Sequence, residues 1–453
     1  MASFEACELF SSDLGHEMVD KILSDIRKLV PENITRLLPA EELDPAVLFL
    51  LQQVQDTMTK DDNICISCYI DTATPYRSYA EALKAVEGVL EVTWEELNTG
   101  HWSKVPPGPR QLYTAAAIVK IEALLRSCQK EHADRTELLH TAVKTADLGI
   151  LLGAPLTNGD FSMTRVAGLL SDALSALSSG SGPQEEVSQP SGSTESSSVV
   201  IDNIPGVRGL VLNSLDRPSL ERFRASHFGP RIPVKLTGCI THWPALILWT
   251  DINYLKKVAG ARTVPIELGD HYVHPTWSQK LMTVGEFIEA HIVAQMDENT
   301  PIGYLAQHPL FEQVPELMSD ISEPEYCCLS DSLDDNAVTE ETDINAWFGP
   351  KGTVSPLHYD PKHNLLAQVI GEKRILLYHP NESENLYPHE GSFLNNTAQV
   401  NPEEPDYKTF PNYKNSVAWE CHLKQGEMLY IPPKWWHHVR SLSTSFSVSF
   451  WWK

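Results

Sequence analysis

The sequence predicts an α+β protein, with a helical N-terminal domain followed by a β-rich barrel or double-sheet jelly roll. Three observations support this prediction: helical periodicity over residues 1–177, a Ser/Gly/Pro/Glu-rich segment at 178–199, and many short β-rich runs at 200–453. A chain of 453 residues is too long for one ordinary core, so two domains are expected.

The first domain, residues 1–177, is predicted from apolar residues that recur with the 3.6-residue helical period. Two stretches, 78–92 and 136–152, each place four of them on one stripe: Ala80, Leu83, Val86 and Leu90 in the first, and Leu138, Val143, Ala146 and Ile150 in the second. This half contains no visible catalytic constellation. We therefore predict that it is a helical interaction or packing domain.

The segment 178–199 is predicted to be a flexible linker, because its composition cannot bury enough apolar surface to order itself. From residue 200 onward, β-rich runs alternate with Pro, Gly and Asn turns, as in a many-stranded sheet protein. An acidic stretch from Asp320 to Asp343 interrupts these runs. We expect it to be a solvated loop, and attraction of a cationic substrate to a nearby pocket is the alternative.

Charge and hydropathy limit the classes of partner. The net charge of −25 disfavours sequence-independent binding to nucleic acid and suits a basic peptide or protein, although solubility alone would also explain it. No apolar run approaches the length of a membrane span, so no membrane partner is expected. The acidic N-terminal residues lack an apolar core segment, so no secretory signal is expected there.

The main chemical signal is His358-Tyr-Asp360 in a β-rich segment. On a strand, residues two apart point to the same side, so His358 and Asp360 can reach one metal together. A third ligand from a distant strand would complete a facial triad of two histidines and one carboxylate. That triad leaves positions open on Fe(II) for an oxidisable co-substrate and dioxygen.

The third ligand is expected on a later hairpin, where His437 and His438 are adjacent. Strand alternation lets only one of them face inward. If Val439 packs in the core, His437 shares its side, and His438 and Arg440 point away. Two other interpretations remain open at this point: ordinary structural histidines, since the chain has 17, and a zinc hydrolase site.

Lys373 indicates the co-substrate. 2-Oxoglutarate chelates iron at one end, and its other carboxylate needs a cation inside the barrel. Lys373 opens an apolar strand fifteen residues after His358. A lysine that instead extends its ammonium to water at the strand end is the alternative.

The second half also resembles the JmjC-domain oxygenases. The resemblance covers residues 200–453, extends more loosely into the helical half, and rests on four strings: GYLAQH from Gly303, NAWFGP from Asn345, SPLHYD from Ser355 and SVSFWW from Ser447. It implies a cupin-like double-stranded β-helix that binds Fe(II), with 2-oxoglutarate and dioxygen as co-substrates.

The resemblance also implies roles for individual residues. The iron ligands are His358, Asp360 and His437. The 2-oxoglutarate contacts are Tyr304, Ser355, Asn364 and Lys373, with Tyr304 and Lys373 on the distal carboxylate. The substrate-side residues are Glu267, Trp277, Gln307, Asn345 and Trp347, and a carboxylate beside tryptophans suits a guanidinium or ammonium group.

Four functions follow as hypotheses. The first, favoured by the resemblance and by Glu267 with Trp277, is hydroxylation of an arginine side chain in a protein substrate. The second is demethylation of methyl-lysine on histone tails, and the third is an endopeptidase that cuts such tails at methylated arginine or lysine. The fourth is a non-catalytic scaffold. A nuclear location, with the cytoplasm as alternative, is implied by the resemblance alone, because the linker has no basic targeting cluster.

Overall fold

A computed structural model describes residues 17, 19–60, 79–99, 105–128, 134–156, 161–178, 210–294, 300–331, 341–391 and 394–453. The chain divides into two compact units, one of Met1–Ser188 with Ala261–Thr263, the other of Gln189–Gly260 with Val264–Lys453. Across the described ranges, no helix is long and apolar enough to cross a membrane. Most of the predicted linker 178–199 lies outside the described residues, so the domain boundaries stay predictions.

The first unit is helical, as predicted. Helical residues 19–29 are followed by two 3₁₀ turns, Ile34–Leu37 and Ala40–Glu42, and then by five longer helices: α1 Pro45–Lys60, α2 Tyr79–Leu97, α3 Pro107–Ser127, α4 Arg135–Leu152 and α5 Met163–Ser178. Pro107 opens α3, where its missing N–H leaves no helix bond unmade. Asp134 caps α4 by accepting a hydrogen bond from the Glu137 backbone N–H at 3.1 Å.

The buried faces of two helices test the predicted stripes. In α4, Val143 and Ala146 are fully buried, as predicted. In α2, Val86 is buried but Ala80 is exposed, because the buried face runs through Ala82 and Val89 instead. The predicted stripe of α2 was therefore rotated relative to the face that packs in the core.

The second unit contains fourteen strands among its described residues, with short helices between them. The strands are β1 Leu210–Val211, β2 Ser214–Asp216, β3 Val234–Thr237, β4 Thr263–Leu268, β5 Ser278–Thr283, β6 Gly303–His308, β7 Asp343–Gly349, β8 Val354–Tyr359, β9 His363–Ile370, β10 Glu372–Tyr378, β11 Ala418–Lys424, β12 Met428–Ile431, β13 Trp436–Ser441 and β14 Ser445–Trp452. The helices are α6 Leu220–Phe223, α7 Ala245–Leu248, α8 Ile252–Ala259, α9 Val284–Phe287, α10 Leu310–Gln313, α11 Pro315–Met318 and α12 Ser383–Leu386.

These strands form two sheets, which confirms the predicted fold class. One sheet has the order β1-β11-β10-β13-β8, and the other has the order β2-β3-β12-β9-β14-β7-β6-β4-β5. Leu366 and Ile431 of the larger sheet pack with Ile375, Leu423 and Val439 of the smaller one in a single apolar cluster. The interior between the sheets is therefore a packed core with side chains from both layers.

Two local features position the strands that carry the predicted site. Gly371 alone joins β9 to β10, with φ 70°, and a Cβ there would meet the Thr444 carbonyl oxygen at 2.0 Å. Only glycine fits this turn, which holds Lys373 near the start of β10. β13 pairs antiparallel with both β10 and β8, so His437 lies opposite His358.

The acidic stretch differs from the prediction of a solvated loop at Asp320, whereas the other described carboxylates of the stretch are exposed as predicted. Asp320 is 5% exposed, and its Oδ2 accepts hydrogen bonds from Trp249 Nε1 at 2.8 Å and from Tyr254 Oη at 2.7 Å. Asp331 pairs with Arg231 at 2.7 Å. Both carboxylates serve the fold, while residues 332–340 lie outside the described part of the chain.

Candidate metal centre

Three side chains meet where β8 and β13 run side by side. One ligand atom from each of His358, Asp360 and His437 lies within 4.8 Å of the others, and this is the only such group among the described residues. Asp360 directly follows β8, with Oδ1 4.0 Å from His358 Nε2 and Oδ2 3.6 Å from His437 Nε2. The structure thus brings together two imidazoles and one carboxylate.

The two imidazoles are oriented by backbone carbonyls behind them. His358 Nδ1 lies 2.6 Å from the Pro356 carbonyl oxygen, and His437 Nδ1 lies 3.0 Å from that of Trp435. An Nδ1–H that donates to a carbonyl leaves Nε2 with a free lone pair, and both Nε2 atoms face Asp360. Burial lowers the pKa of His437 to about 4, and the neighbouring His358 adds to this effect. Its ring is therefore neutral, as a metal ligand must be.

Asp360 shows that this group is incomplete in the protein alone. Its Oδ2 is buried and makes no hydrogen bond within the described ranges. A buried carboxylate oxygen without a partner is costly unless a cation or donor satisfies it. The donor set of two neutral imidazoles and one carboxylate fits Fe(II) and leaves positions open for other ligands.

His438 lies on the opposite side of β13, as strand alternation predicts. It is 3% exposed, and its Nε2 lies 4.0 Å from Glu403 Oε2. Burial lowers the pKa of His438 to about 4. Arg440, on the same side, donates from Nε to both carboxylate oxygens of Glu403 at 2.7–2.8 Å.

Lys373 is buried on the inner side of β10 at 1% exposure, which excludes the alternative of an ammonium extended to water. Its Nζ lies 3.3 Å from the Tyr304 hydroxyl, and no carboxylate in the described part of the chain forms an ion pair with it. Burial lowers the pKa of Lys373 to about 7, and burial also raises the pKa of Tyr304. A buried ammonium without an anion is a binding site for an external carboxylate.

Ser355 and Asn364 border the same space. Asn364 Oδ1 is buried without a hydrogen-bond partner, and Ser355 acts on Tyr304 through a hydrogen bond that lowers the tyrosine's pKa. Both residues line one cavity with His358, Asp360, His437, Tyr304 and Lys373. Its volume of about 30 Å³ holds few waters.

Three of the predicted substrate-side residues lie at or beside this cavity. Trp347 lines it, with its Nε1 donating to Ser449 Oγ at 2.9 Å. Glu267 on β4 pairs directly with Tyr304 on β6. Burial raises the pKa of Glu267, and the neighbouring Trp277 indole opposes that rise.

The other two predicted substrate-side residues differ from each other. Asn345 is 8% exposed and lies two residues before Trp347 on β7, so the two side chains share one face of the sheet. Gln307 is exposed and has a left-handed φ of 47° at a β-bulge between β6 and β7. The structure does not bring the Gln307 side chain into the lining of the cavity.

Sequence reasoning missed two residues at the site. The Tyr272 hydroxyl lies 3.3 Å from Thr397 Oγ1. Burial is the main cause that raises the pKa of Tyr272, and the charges of Asp360 and Glu267 raise it further. Trp451 lines the cavity with a buried indole N–H that has no partner in the described chain. The alternation of Ser447, Ser449 and Trp451 on β14 was the sequence signal for Trp451, whereas Tyr272 lies in a loop that carries no such pattern.

Comparison with known proteins agrees with this geometry. The model of a family described as a cupin-like domain matches residues 220–453. The chain is 37% identical to Lysine-specific demethylase 8 of Danio rerio, over 95% of this chain and 99% of that protein. It is 37% identical to the protein of the same name in Xenopus tropicalis, over 94% and 100%, and 41% identical to Jumonji C domain-containing protein 5 of Drosophila melanogaster, over 81% and 86%.

The matched residues contain the β-sheet unit from α6 onward, including all three candidate metal ligands and Lys373. The donor set fits Fe(II), and the buried ammonium fits the distal carboxylate of 2-oxoglutarate. The chain therefore belongs to the JmjC-domain, cupin-like oxygenases, which use Fe(II) and 2-oxoglutarate.

Proposed function

We propose that this oxygenase hydroxylates a carbon of an arginine side chain in a basic segment of a protein substrate. The observation that carries the proposal is Glu267. Its carboxylate lies beside the metal cavity, opposite Tyr304, and has no basic partner among the residues that the structure describes. A half-buried carboxylate with a raised pKa gains most from a cation that enters beside it.

A guanidinium suits this environment better than an ammonium. A carboxylate can accept two parallel N–H bonds from the planar fork of arginine, which fixes both the distance and the orientation of the side chain. Trp277 next to Glu267, and Trp347 in the cavity wall, offer aromatic faces for stacking. Tyr272 is close enough to both Asp360 and Glu267 for their charges to raise its pKa, so a guanidinium held at Glu267 would lie near the metal ligands.

The other residues take supporting roles in this proposal. Lys373 and Tyr304 hold the distal carboxylate of 2-oxoglutarate, and Ser355 and Asn364 add polar contacts. When Fe(II) and 2-oxoglutarate are bound, this pair supplies the oxidising chemistry toward a C–H bond. Apolar neighbours such as Leu366 exclude water from the reacting carbon. Histone tails are candidate substrates, and a nuclear location belongs to the same proposal.

The test is mass spectrometry of arginine peptides incubated with the protein, Fe(II) and 2-oxoglutarate. We expect a mass increase of one oxygen atom on arginine. Glu267→Gln should lower kcat/KM about 100-fold, because a charge-assisted pair contributes roughly 1.5–3 kcal/mol, while binding of 2-oxoglutarate stays unchanged. Glu384→Gln, an exposed glutamate on α12, is the matched control and should behave as wild type.

Demethylation of methyl-lysine is the second candidate. It is favoured by the name of two relatives, Lysine-specific demethylase 8. Oxidation of an N-methyl group releases formaldehyde, whereas hydroxylation of an arginine carbon retains the oxygen in the peptide. Formaldehyde from methylated histone peptides, with no oxygenated arginine product from any peptide, would replace the first proposal by the second. Peptide cleavage that persists without 2-oxoglutarate would indicate a hydrolase instead.

A further inference from the structure

A second cavity, of about 380 Å³, lies on the other face of the two strands that carry the metal ligands. Val354 and Pro356 of β8 line it, together with His438 and Arg440 of β13. Ser355 and His358 of β8, with His437 and Val439 of β13, line the metal cavity instead. The two cavities therefore share β8 and β13 as a common wall, and we call this second one the outer cavity.

Two chain segments, 270–273 and 398–404, supply much of the remaining wall of the outer cavity. The first segment also borders the metal site. His271 and Val273 line the outer cavity, while Tyr272 between them is close enough to Asp360 and Glu267 for their charges to raise its pKa. A ligand that passes over Tyr272 can therefore contact both the outer cavity and the metal site.

The polar groups of the outer cavity are not all satisfied. The side chain of His438 is only 3% exposed. Neither of its ring nitrogens makes a hydrogen bond within the described ranges. His271 Nδ1 is also buried without a partner. Buried polar groups of native proteins are nearly always bonded to protein, water or ligand, so these two imidazoles indicate a site for polar atoms from outside the chain.

The charge of the outer cavity selects the sign of its ligand. Glu403 and Arg440 neutralise each other through a two-point ion pair. Asp270 and Glu404 remain at the cavity as exposed carboxylates without a lysine or arginine partner among the described residues. Apolar side chains such as Val400 and Ile302 complete the walls. Apolar walls with net negative charge suit the aliphatic stem and cationic head of a long basic side chain.

We propose that the outer cavity is a second subsite of the enzyme, which takes one lysine or arginine side chain flanking the target residue of the substrate. This inference rests on the proposed function for its substrate class, a basic protein segment. His438 and His271 accept hydrogen bonds from the cationic head, and Asp270 and Glu404 provide the opposite charge. The volume is within the range of ordinary ligand cavities.

The test measures peptide binding without turnover. The full chain, loaded with Mn(II) and 2-oxoglutarate under anaerobic conditions, is titrated into fluorescein-labelled arginine peptides, and Kd is read from fluorescence anisotropy. Each peptide carries one lysine at a different flanking position, and its partner peptide carries norleucine there. Norleucine keeps the apolar stem and removes the charge, so the pair isolates the ionic contribution.

We expect one flanking position at which norleucine weakens binding about tenfold, which corresponds to roughly 1.4 kcal/mol. The double variant Asp270→Asn/Glu404→Gln should abolish this difference. Val354→Phe, which narrows the cavity without changing its charge, should abolish it as well. Glu312→Gln/Glu384→Gln removes two exposed carboxylates elsewhere and should keep the full tenfold difference.

Two results would overturn the subsite: no flanking position that discriminates lysine from norleucine, or a difference that survives in both cavity variants. The same peptides, incubated aerobically with Fe(II), separate this inference from the proposed reaction. Oxygenated arginine without any flanking preference leaves the reaction standing and removes the subsite. A flanking preference without oxygenated arginine keeps the subsite and removes the reaction.

Discussion

The helical unit and the β-sheet unit each bury a cation, and they treat it differently. In α3, Arg126 is 7% exposed and donates from Nε and Nη2 to Glu122 at 3.0–3.2 Å, one helical turn away. In β10, Lys373 is 1% exposed and has only the Tyr304 hydroxyl at 3.3 Å. The helical unit supplies its own anion, whereas the β-sheet unit does not.

This difference separates a group that serves the fold from a group that serves a ligand. A buried ion pair can be neutral for stability, but an unpaired buried cation is destabilising. The unpaired ammonium of Lys373 therefore destabilises the folded state, and a bound carboxylate removes this destabilisation. The unpartnered Asp360 Oδ2 and Asn364 Oδ1 in the same cavity follow the same pattern.

The largest expected effect comes from removing a metal ligand. His437→Ala should reduce 2-oxoglutarate turnover to background, because the remaining imidazole and carboxylate no longer form a three-point site. His140→Ala, an exposed histidine on α4, is the control and should retain full turnover and full metal binding. Metal content after desalting and succinate formation are the two measurements. Unchanged metal content in His437→Ala would contradict the assignment of the site.

The next largest effect is a loss of 2-oxoglutarate binding when the buried Lys373 is replaced. Lys373→Met should weaken 2-oxoglutarate binding to the Mn(II)-loaded protein about 10- to 100-fold, because the distal carboxylate loses a charge-assisted partner worth roughly 1.5–3 kcal/mol. Calorimetry measures the Kd. Lys424→Met, at an exposed lysine of the neighbouring strand β11, should leave it unchanged. Equal affinity in both variants would place the carboxylate elsewhere.

The two buried cations should also give stability changes of opposite sign. Glu122→Gln removes the carboxylate that accepts hydrogen bonds from Arg126 Nε and Nη2 and should lower the free energy of unfolding by roughly 1–3 kcal/mol. Lys373→Met in the ligand-free protein should raise it by roughly 1–3 kcal/mol, since the buried ammonium disappears. Urea unfolding below pH 7 measures both changes. A loss of stability in Lys373→Met would show that Lys373 serves the fold.

The sign of the pH dependence follows from the Lys373 pKa. Folding lowers it from 10.5 to about 7, so the unfolded chain binds more protons than the folded one between these values. Stability therefore rises with pH across that window, and the gain from Lys373→Met is largest below pH 7 and vanishes above 10.5. The opposite trend would mean that the folded state stabilises the charged ammonium.

The smallest expected effect is the number of protons that the protein takes up when it binds 2-oxoglutarate. At about pH 8 the ligand-free Lys373 is mostly neutral, and a bound carboxylate raises its pKa, so binding of 2-oxoglutarate should take up nearly one proton. At about pH 6 the uptake should be close to zero. Calorimetry of the Mn(II)-loaded protein in buffers of different ionisation enthalpy gives this number. The same uptake at both pH values would contradict the assigned pKa.

The sequence was informative where a short-range rule decides the outcome. Alternation along a strand placed His437 inward and His438 outward, and β13 keeps that alternation although its pairing with β8 shifts in register after His437. The α+β organisation also followed from local periodicity. Lys373 was predictable as an inward lysine because β10 is apolar after Arg374 and because His358-Tyr-Asp360 lies close by in the sequence.

Other features depend on long-range packing and were beyond the sequence. The proximity of Tyr272 to Asp360 and Glu267 depends on where a loop crosses the barrel mouth. The left-handed Gln307 depends on a bulge that no residue pattern marks. Ala80 shows the same limit in the helical unit. An alanine is small enough to lie on the buried or on the exposed face of a helix, so its presence does not locate the buried face.

The most direct test of the account is a crystal structure of the protein soaked with Mn(II), 2-oxoglutarate and an arginine peptide. We predict the metal between His358, Asp360 and His437, and the distal carboxylate between Lys373 and Tyr304. The peptide guanidinium should lie at Glu267. A metal at another group of ligands, or a 2-oxoglutarate carboxylate away from Lys373, would contradict the central claim that the unpartnered buried groups of the barrel form the cofactor site.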